Sequence, residues 1–99
     1  MNKEKILDFI RRRFAEDNHW ASGNCFWAAA ILTLQFHDLA IFYQPVPGHF
    51  LAGDPAGTHF FDASGEVELK PGDPRPTPLA WIYEHDRTWF DRLMRDCRD

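Results

Sequence analysis

Cysteine is scarce in this chain. The 99 residues include two cysteines, Cys25 and Cys97. Two cysteines are too few for the framework of bridges that holds small secreted domains together, and a reducing compartment would keep both as thiols. Each cysteine therefore needs its own explanation, either as a piece of the core or as a reactive group.

Long hydrophobic runs and a surplus of basic charge are also absent. The longest apolar run lies within residues 25–36, is too short to span a bilayer, and carries Thr33 and Gln35. The N-terminal stretch MNKEKILDFIRRRF is charged throughout and lacks the core of a signal peptide. The net charge is −4, with no basic patch that interleaves aromatic residues. We therefore expect a soluble, cytoplasmic protein that binds neither nucleic acid nor membrane.

The composition is that of a folded globule. Apolar residues make up 44% of the chain and aromatic residues 15%, which argues against disorder. A chain of this length forms one domain, residues 1–99. Most aromatic side chains are expected in the core, and the remainder leaves open a groove or a homodimer contact.

Helical periodicity occupies the first third of the chain. Apolar residues recur at helical spacing over residues 3–15, which predicts an amphipathic helix. The segment EDNHWASGN interrupts the pattern, and a second helix is predicted from about Cys25 to Phe36, with Asn24 or Ser22 as its N-cap. This second helix is apolar nearly all round, so we expect it to be central.

Strand-forming segments follow the second helix. They are LAIFYQPV, GHFLAG, THFFDASG and the shorter EVELK, with DPAG as a turn between the second and third. PGDPRPTP is predicted to be a stiff surface loop, and the tail HDRTWFDRLMRDCRD to be a helix capped by Asp86. The expected class is α+β: N-terminal helices packed on an antiparallel sheet of three or four strands, then a C-terminal helix.

Cys25 lies at the predicted start of the central helix. Unpaired N–H groups and the helix dipole stabilise a thiolate at such a position. Nucleophilic chemistry would also need a base and a group to orient that base. The alternative is a buried structural cysteine, since free cysteines are among the most buried residues.

The predicted hairpin supplies a base and an orienting group. With the turn centred on Pro55-Ala56, His49 lies opposite Asp62, and opposed side chains share a face of the sheet. A shift of two residues keeps both on one face, whereas a shift of one pairs His49 with His59 instead. His59 is therefore the reserve base.

The segments GNCFWAAAILTL, GHFLAG and HFFDASG together resemble the papain-like superfamily in its broad sense. That superfamily includes transglutaminase-like enzymes, arylamine N-acetyltransferases and cell-wall peptidases. The resemblance covers about residues 20–65 and implies Cys25 as nucleophile, His49 as base and Asp62 as orienting group. An aspartate in the third place is more similar to the transglutaminase and acetyltransferase branch than to papain.

The resemblance implies cysteine-dependent acyl transfer or hydrolysis of an amide, isopeptide or thioester bond in a peptide, protein or small-molecule substrate. The alternative function is a catalytically inactive binding or accessory module of the same fold. In an enzyme, the backbone N–H of Cys25 is one candidate oxyanion donor. A second could come from His19, Trp20 or Asn24, although Trp20 also fits the core and Asn24 a helix cap.

No cofactor or metal is expected. Cys25, His49, His59 and Asp62 are potential zinc ligands, but CxxC and HxxxH spacings are absent. Cys97 lies two residues from the end of the sequence and is expected to be a partly exposed bystander.

Overall fold

The chain forms helices and one antiparallel sheet. The computed structural model of the protein describes residues 1–14, 25–45 and 48–98. Within these ranges there are four helices: α1 (Lys3–Phe14), α2 (Cys25–Gln35), α3 (Leu79–His85) and α4 (Arg87–Arg98). Five strands form one sheet in the order β4-β3-β2-β1-β5: β1 (Ala40–Gln44), β2 (His49–Gly53), β3 (Phe60–Asp62), β4 (Gly65–Val67) and β5 (Thr77–Pro78). The expected α+β class and the C-terminal helix are confirmed.

The C-terminal third is more structured than the sequence predicts. Five strands are present in the described residues, where three or four were expected, because the end of the proline-rich loop pairs with β1. This β5 is two residues long, and a proline is tolerated there because β5 is an edge strand. The chain then turns directly into α3, a helix that was not predicted, because residues 79–84 lie between the predicted loop and the predicted helical tail.

Asp86 alone separates α3 from α4. Its carboxylate accepts a hydrogen bond from the backbone N–H of Trp89 at 3.1 Å, as expected of an N-cap residue. The predicted cap of the last helix is confirmed. No helix in the described ranges is long and apolar enough to cross a membrane.

The helices cover one face of the sheet. The buried face of α1, formed by Ile6, Ile10 and Phe14, packs in one cluster with Ala52 of β2 and Phe61 of β3. This is the amphipathic helix that the apolar spacing predicts. Its apolar stripe is buried, while the three arginines of its last turn stay exposed.

The cysteine-bearing helix α2 packs mainly against β2, the middle strand of the sheet. Ala28 and Ala29 are each 1% exposed, so the small side chains lie where helix and sheet approach each other. Trp27 and Leu34, in contrast, are 50% and 76% exposed. The helix is therefore central on one side only, although its sequence is apolar nearly all round.

The opposite face of the sheet carries a smaller apolar cluster. Phe42, Leu51 and Phe60 are buried there, with Val67 and Leu69 packed against them. A Cβ atom at Gly53 would lie 2.7 Å from both aromatic rings of this cluster. Gly53 therefore allows the two rings to meet edge to face, with their centroids 5.0 Å apart.

Candidate functional site

The site lies where β2 begins and β3 ends. Ala52 pairs with Phe61 and Gly53 with Phe60, so in the same register Asp62 lies across from Leu51 rather than from His49. The expected pairing of His49 with Asp62 is therefore wrong by two residues. A shift of two preserves the face of each side chain, and the two side chains still meet diagonally across the strands.

The register of β2 against β3 differs from the predicted one because the loop contains further residues after the predicted turn. The backbone N–H of Gly57 bonds to the carbonyl of Asp54 at 3.0 Å, which centres a turn on Pro55-Ala56 as predicted. The carboxylate of Asp54 then accepts hydrogen bonds from the N–H and hydroxyl of Thr58 and from the N–H of His59. These bonds keep Thr58 and His59 in the loop, so β3 begins only at Phe60.

The electrostatic effect of this loop is visible at Asp54. Burial by itself would raise the pKa of the carboxyl group, but the hydrogen bonds from His59 and Thr58 outweigh it and lower the pKa to about 2. Asp54 is therefore an ionised, structural carboxylate that sets the register of the hairpin.

His49 is held by Asp62. The distance from Nε2 of His49 to Oδ2 of Asp62 is 3.1 Å, and the two side chains are only 23% and 21% exposed. The other oxygen of Asp62 accepts the backbone N–H of Ser64 at 2.7 Å, which fixes the orientation of the carboxylate. The hydrogen bond to Asp62 and a second one to Cys25 outweigh burial and raise the pKa of His49 to about 9.

Cys25 is the first residue of α2 and is half-buried. Its thiol hydrogen-bonds His49, and because Nε2 faces Asp62, the nitrogen left for sulfur is Nδ1. Burial acts to raise the pKa of the thiol, but His49 and the backbone N–H groups of Phe50 and Phe26 outweigh burial and lower it.

Together these contacts favour a thiolate next to an imidazolium. His49 stands between sulfur and carboxylate, so a positive charge on its ring is stabilised from both sides. The same ring is placed to return a proton to a group bonded to the sulfur. The structure thus brings together the three residues that the sequence analysis selected, from α2, β2 and β3.

The reserve base His59 is engaged elsewhere. Its Nδ1 lies 2.9 Å from Oε2 of Glu66, and the other oxygen of that carboxylate lies 2.6 Å from Nζ of Lys3. The hydrogen bonds from Lys3 and then His59 lower the pKa of Glu66. The described contacts of the thiol involve His49 and not His59, so the one-residue shift that would favour His59 does not occur.

Aromatic side chains form a cluster next to Cys25 on the helical face of the sheet. Phe26 and Phe50 meet edge to face with their centroids 5.2 Å apart, and the ring of Tyr43 lies 4.9 Å from that of Phe50. Tyr43 lies directly across from Phe50 on β1. Tyr43 falls in a predicted strand without a predicted role, because the sequence does not reveal the pairing of β1 with β2.

Gln44 was missed for the same reason. It lies directly across from His49 on β1 and is 6% exposed. Opposed residues share a face, so its side chain borders that of His49 on the side away from β3. A polar residue at the end of an apolar strand was the only signal in the sequence.

Other predicted site residues lie outside the described parts of the chain. These are His19, Trp20 and Asn24, the candidates for a second oxyanion donor, and the side chain of Cys97. The described residues contain no group of three or more histidine, cysteine, aspartate or glutamate side chains that could hold a metal ion.

Comparison of the chain with known protein families, with curated proteins and with solved structures found no match in any of the three. The papain-like resemblance therefore remains an interpretation of the residues themselves. Any function assigned to Cys25, His49 and Asp62 must be argued from their chemistry.

Proposed function

We propose that this protein is a small cysteine-dependent enzyme of papain-like type, which transfers or hydrolyses acyl groups. Cys25 is the nucleophile, His49 the acid and base, and Asp62 the group that orients His49. The observation that supports this most strongly is the double engagement of His49, whose Nε2 lies 3.1 Å from Asp62 while its ring also hydrogen-bonds the thiol of Cys25.

Each residue has a defined step in this chemistry. The thiolate of Cys25 attacks the carbonyl carbon of an amide, isopeptide or thioester, and an oxyanion forms on the carbonyl oxygen. The imidazolium of His49 gives its proton to the leaving amine or thiol as the bond to carbon breaks. The remaining thioester passes its acyl group to water or to an amine, from which His49 takes the proton.

Asp62 acts through His49 and does not touch the substrate in this scheme. Its carboxylate stabilises the imidazolium and fixes which nitrogen faces the sulfur. Ionisation of Cys25 and His49 is coupled, so the apparent midpoints belong to the pair rather than to either residue.

The pH profile of Cys25 alkylation tests the proposal. Iodoacetamide labelling of the Cys97→Ser protein, followed by intact mass, should show a thiol that reacts well below pH 8. Cys25→Ser in the same background should abolish the labelling. A midpoint near 8.5, the value of an ordinary thiol, would contradict the proposal.

Asp62→Asn supplies the matched variant for the orienting role. The amide keeps the size of the carboxylate but removes its charge, so the imidazolium loses its main stabilisation and the labelling midpoint should rise. Glu66→Gln makes the same change at the other histidine and should leave the midpoint unchanged. If the midpoint is low in wild type and stays low in Asp62→Asn, Asp62 does not orient the base.

The alternative of a catalytically inactive binding module rests on a buried, structural cysteine. Cys25 is half-buried rather than buried, and two of its contacts lower the pKa of its thiol through the backbone. The same labelling experiment decides between the two functions, because a thiol that is shielded in the core reacts slowly at every pH at which the protein is folded.

A further inference from the structure

Gln44 and His49 form a cross-strand pair where β1 ends and β2 begins. The two residues are directly opposed, so their side chains share a face of the sheet with Cβ atoms about 5 Å apart. The carbonyl of Gln44 also accepts the backbone N–H of Gly48 at 3.1 Å, which closes the turn that leads into His49. Gln44 is therefore tied to the histidine through its backbone as well as its side chain.

The pair lies beside an apolar row. Phe42 and Leu51 are the next opposed residues on the same face, and they are 7% and 0% exposed. Gln44 itself is 6% exposed. Charges and dipoles act more strongly on each other in such surroundings than in water, because little solvent screens them.

The carboxamide of Gln44 has no hydrogen-bond partner among the residues that the structure describes, although it is buried. The ring nitrogens of His49 are both engaged, Nε2 with Asp62 and Nδ1 with the thiol of Cys25. Burial of an unpaired amide costs free energy, so an offsetting interaction is expected. An amide oxygen turned towards the carbon edge of an imidazolium would supply one, because it stabilises the positive charge without displacing either partner of the ring.

We infer that Gln44 is a positioning residue, whose carboxamide stabilises the positively charged form of His49 and thereby helps to keep Cys25 a thiolate. This inference rests on the proposed function for its consequence at the sulfur. The titratable groups that act on His49 are Asp62 of β3 and Cys25 of α2, whereas β1 contributes the uncharged Gln44. The role of Gln44 is therefore that of a dipole added to charges from the other two elements.

Two substitutions of opposite character test this role. Gln44→Met keeps the length of the side chain and removes the amide dipole, whereas Gln44→Glu keeps the shape and adds a negative charge. Histidine-selective NMR in the Cys25→Ser background, where no thiol titrates at this site, gives the titration midpoint of His49, and His49→Gln assigns its signal. Relative to that background, we expect the midpoint to fall by about one pH unit in Gln44→Met and to rise in Gln44→Glu.

The thiol should respond to the same change. In the Cys97→Ser background, Gln44→Met should raise the pH midpoint of Cys25 alkylation, because a less stable imidazolium supports the thiolate less. Gln35→Met is the matched control, since Gln35 is the other glutamine of the chain and is exposed at the end of α2. It should shift neither midpoint.

The direction of the shifts separates this role from a structural one. A purely structural residue would lower the melting temperature, and the midpoint of His49 would move in the same direction in both variants or in neither; either result overturns the inference. If one variant does not fold, the sign of the shift in the other decides.

The outcomes also distinguish the two proposals. A low alkylation midpoint in wild type, with a His49 midpoint that Gln44→Met and Gln44→Glu leave unchanged, would overturn the inference and leave the proposed function standing. A wild-type alkylation midpoint of about 8.5, with the expected shifts at His49, would overturn the proposed function and support the charge role of Gln44.

Discussion

Two histidines lie in the hairpin of β2 and β3, His49 at the start of β2 and His59 directly before β3, and each has a carboxylate within hydrogen-bond distance. His49 lies 3.1 Å from Asp62 and His59 lies 2.9 Å from Glu66. The shorter contact belongs to the histidine for which we propose no chemistry. Distance to a carboxylate therefore does not distinguish the proposed base from the other histidine.

The surroundings of the two pairs differ. The His49 side chain is 23% exposed and its second partner is a thiol, whereas the His59 side chain is 41% exposed and its carboxylate is shared with the ammonium of Lys3. The carboxylate of Glu66 therefore divides its contacts between a histidine and a lysine. The pair with a thiol as its neighbour is also the one whose side chains are more buried.

The largest expected effect comes from exchanging the two histidines for glutamine in turn. His49→Gln removes the cation next to the sulfur, so at pH 6.5 the rate of Cys25 alkylation should fall about 10- to 100-fold. His59→Gln should leave the rate within about two-fold, because its contacts are with Glu66. Equal effects of the two substitutions on the labelling rate would show that the different surroundings of the two histidines do not affect the reactivity of Cys25.

The two pairs should also act on opposite sides of the pH profile of stability. The pKa of His49 is raised from 6.5 to about 9, so its contribution is complete below pH 6.5 and is lost as the pH rises through about 9. The pKa of Glu66 is lowered from 4.5, so its contribution is complete above pH 4.5 and is lost as the pH falls further.

Urea unfolding of Cys25→Ser variants measures these contributions without ionisation of the thiol. We expect Asp62→Asn to flatten the loss of stability above pH 6.5, and Glu66→Gln to flatten the loss below pH 4.5. The Glu66 effect should be about 1 kcal/mol or less, because the ion pair is partly exposed. An alkaline loss that is equally steep with and without Asp62 would mean that the His49–Asp62 bond does not contribute to stability.

Two glycines near the histidines give the last comparison: Gly48 directly precedes His49, and Gly57 lies two residues before His59. Gly48 and Gly57 have φ values of +93° and +69°, so alanine at either position should destabilise the protein by about 1 kcal/mol. Gly48→Ala would also press on the hydroxyl of Tyr43 and displace His49, so it should lower the alkylation rate, whereas Gly57→Ala should not. Thermal unfolding and labelling at pH 6.5 would compare them, and a labelling loss in Gly57→Ala alone would reverse our assignment.

The sequence alone is enough to select the three residues that meet in the candidate site. A shift of two residues in strand register changes which residues lie opposite each other, but it leaves every side chain on the same face of the sheet. Alternation along β2 and β3 keeps His49 and Asp62 on one side in either register. The register itself depended on Asp54, whose carboxylate holds Thr58 and His59 in the loop. Such a side-chain contact carries no periodic signal, so the turn residues alone could not reveal it.

The helices show the same division between local and non-local information. The apolar stripe of α1 and the cap at Asp86 depend on neighbours in sequence, and both were predicted. The exposed side of α2 and the pairing of β5 with β1 depend on which distant segments approach them. Tyr43 and Gln44 lie across from Phe50 and His49 because β1 pairs with β2, a pairing that was not predicted.

The location of Cys25, His49 and Asp62 on three separate elements gives the thiol a second use, as a reporter of folding. The enhanced reactivity that we propose requires α2, β2 and β3 to be docked at once, so the thiol of a chain that has lost this docking should react like an ordinary cysteine. Labelling at pH 6.5 during a denaturant titration would then follow the cooperative assembly of helix and hairpin. A fluorescence probe of the aromatic core would follow the same transition if the domain unfolds as one unit.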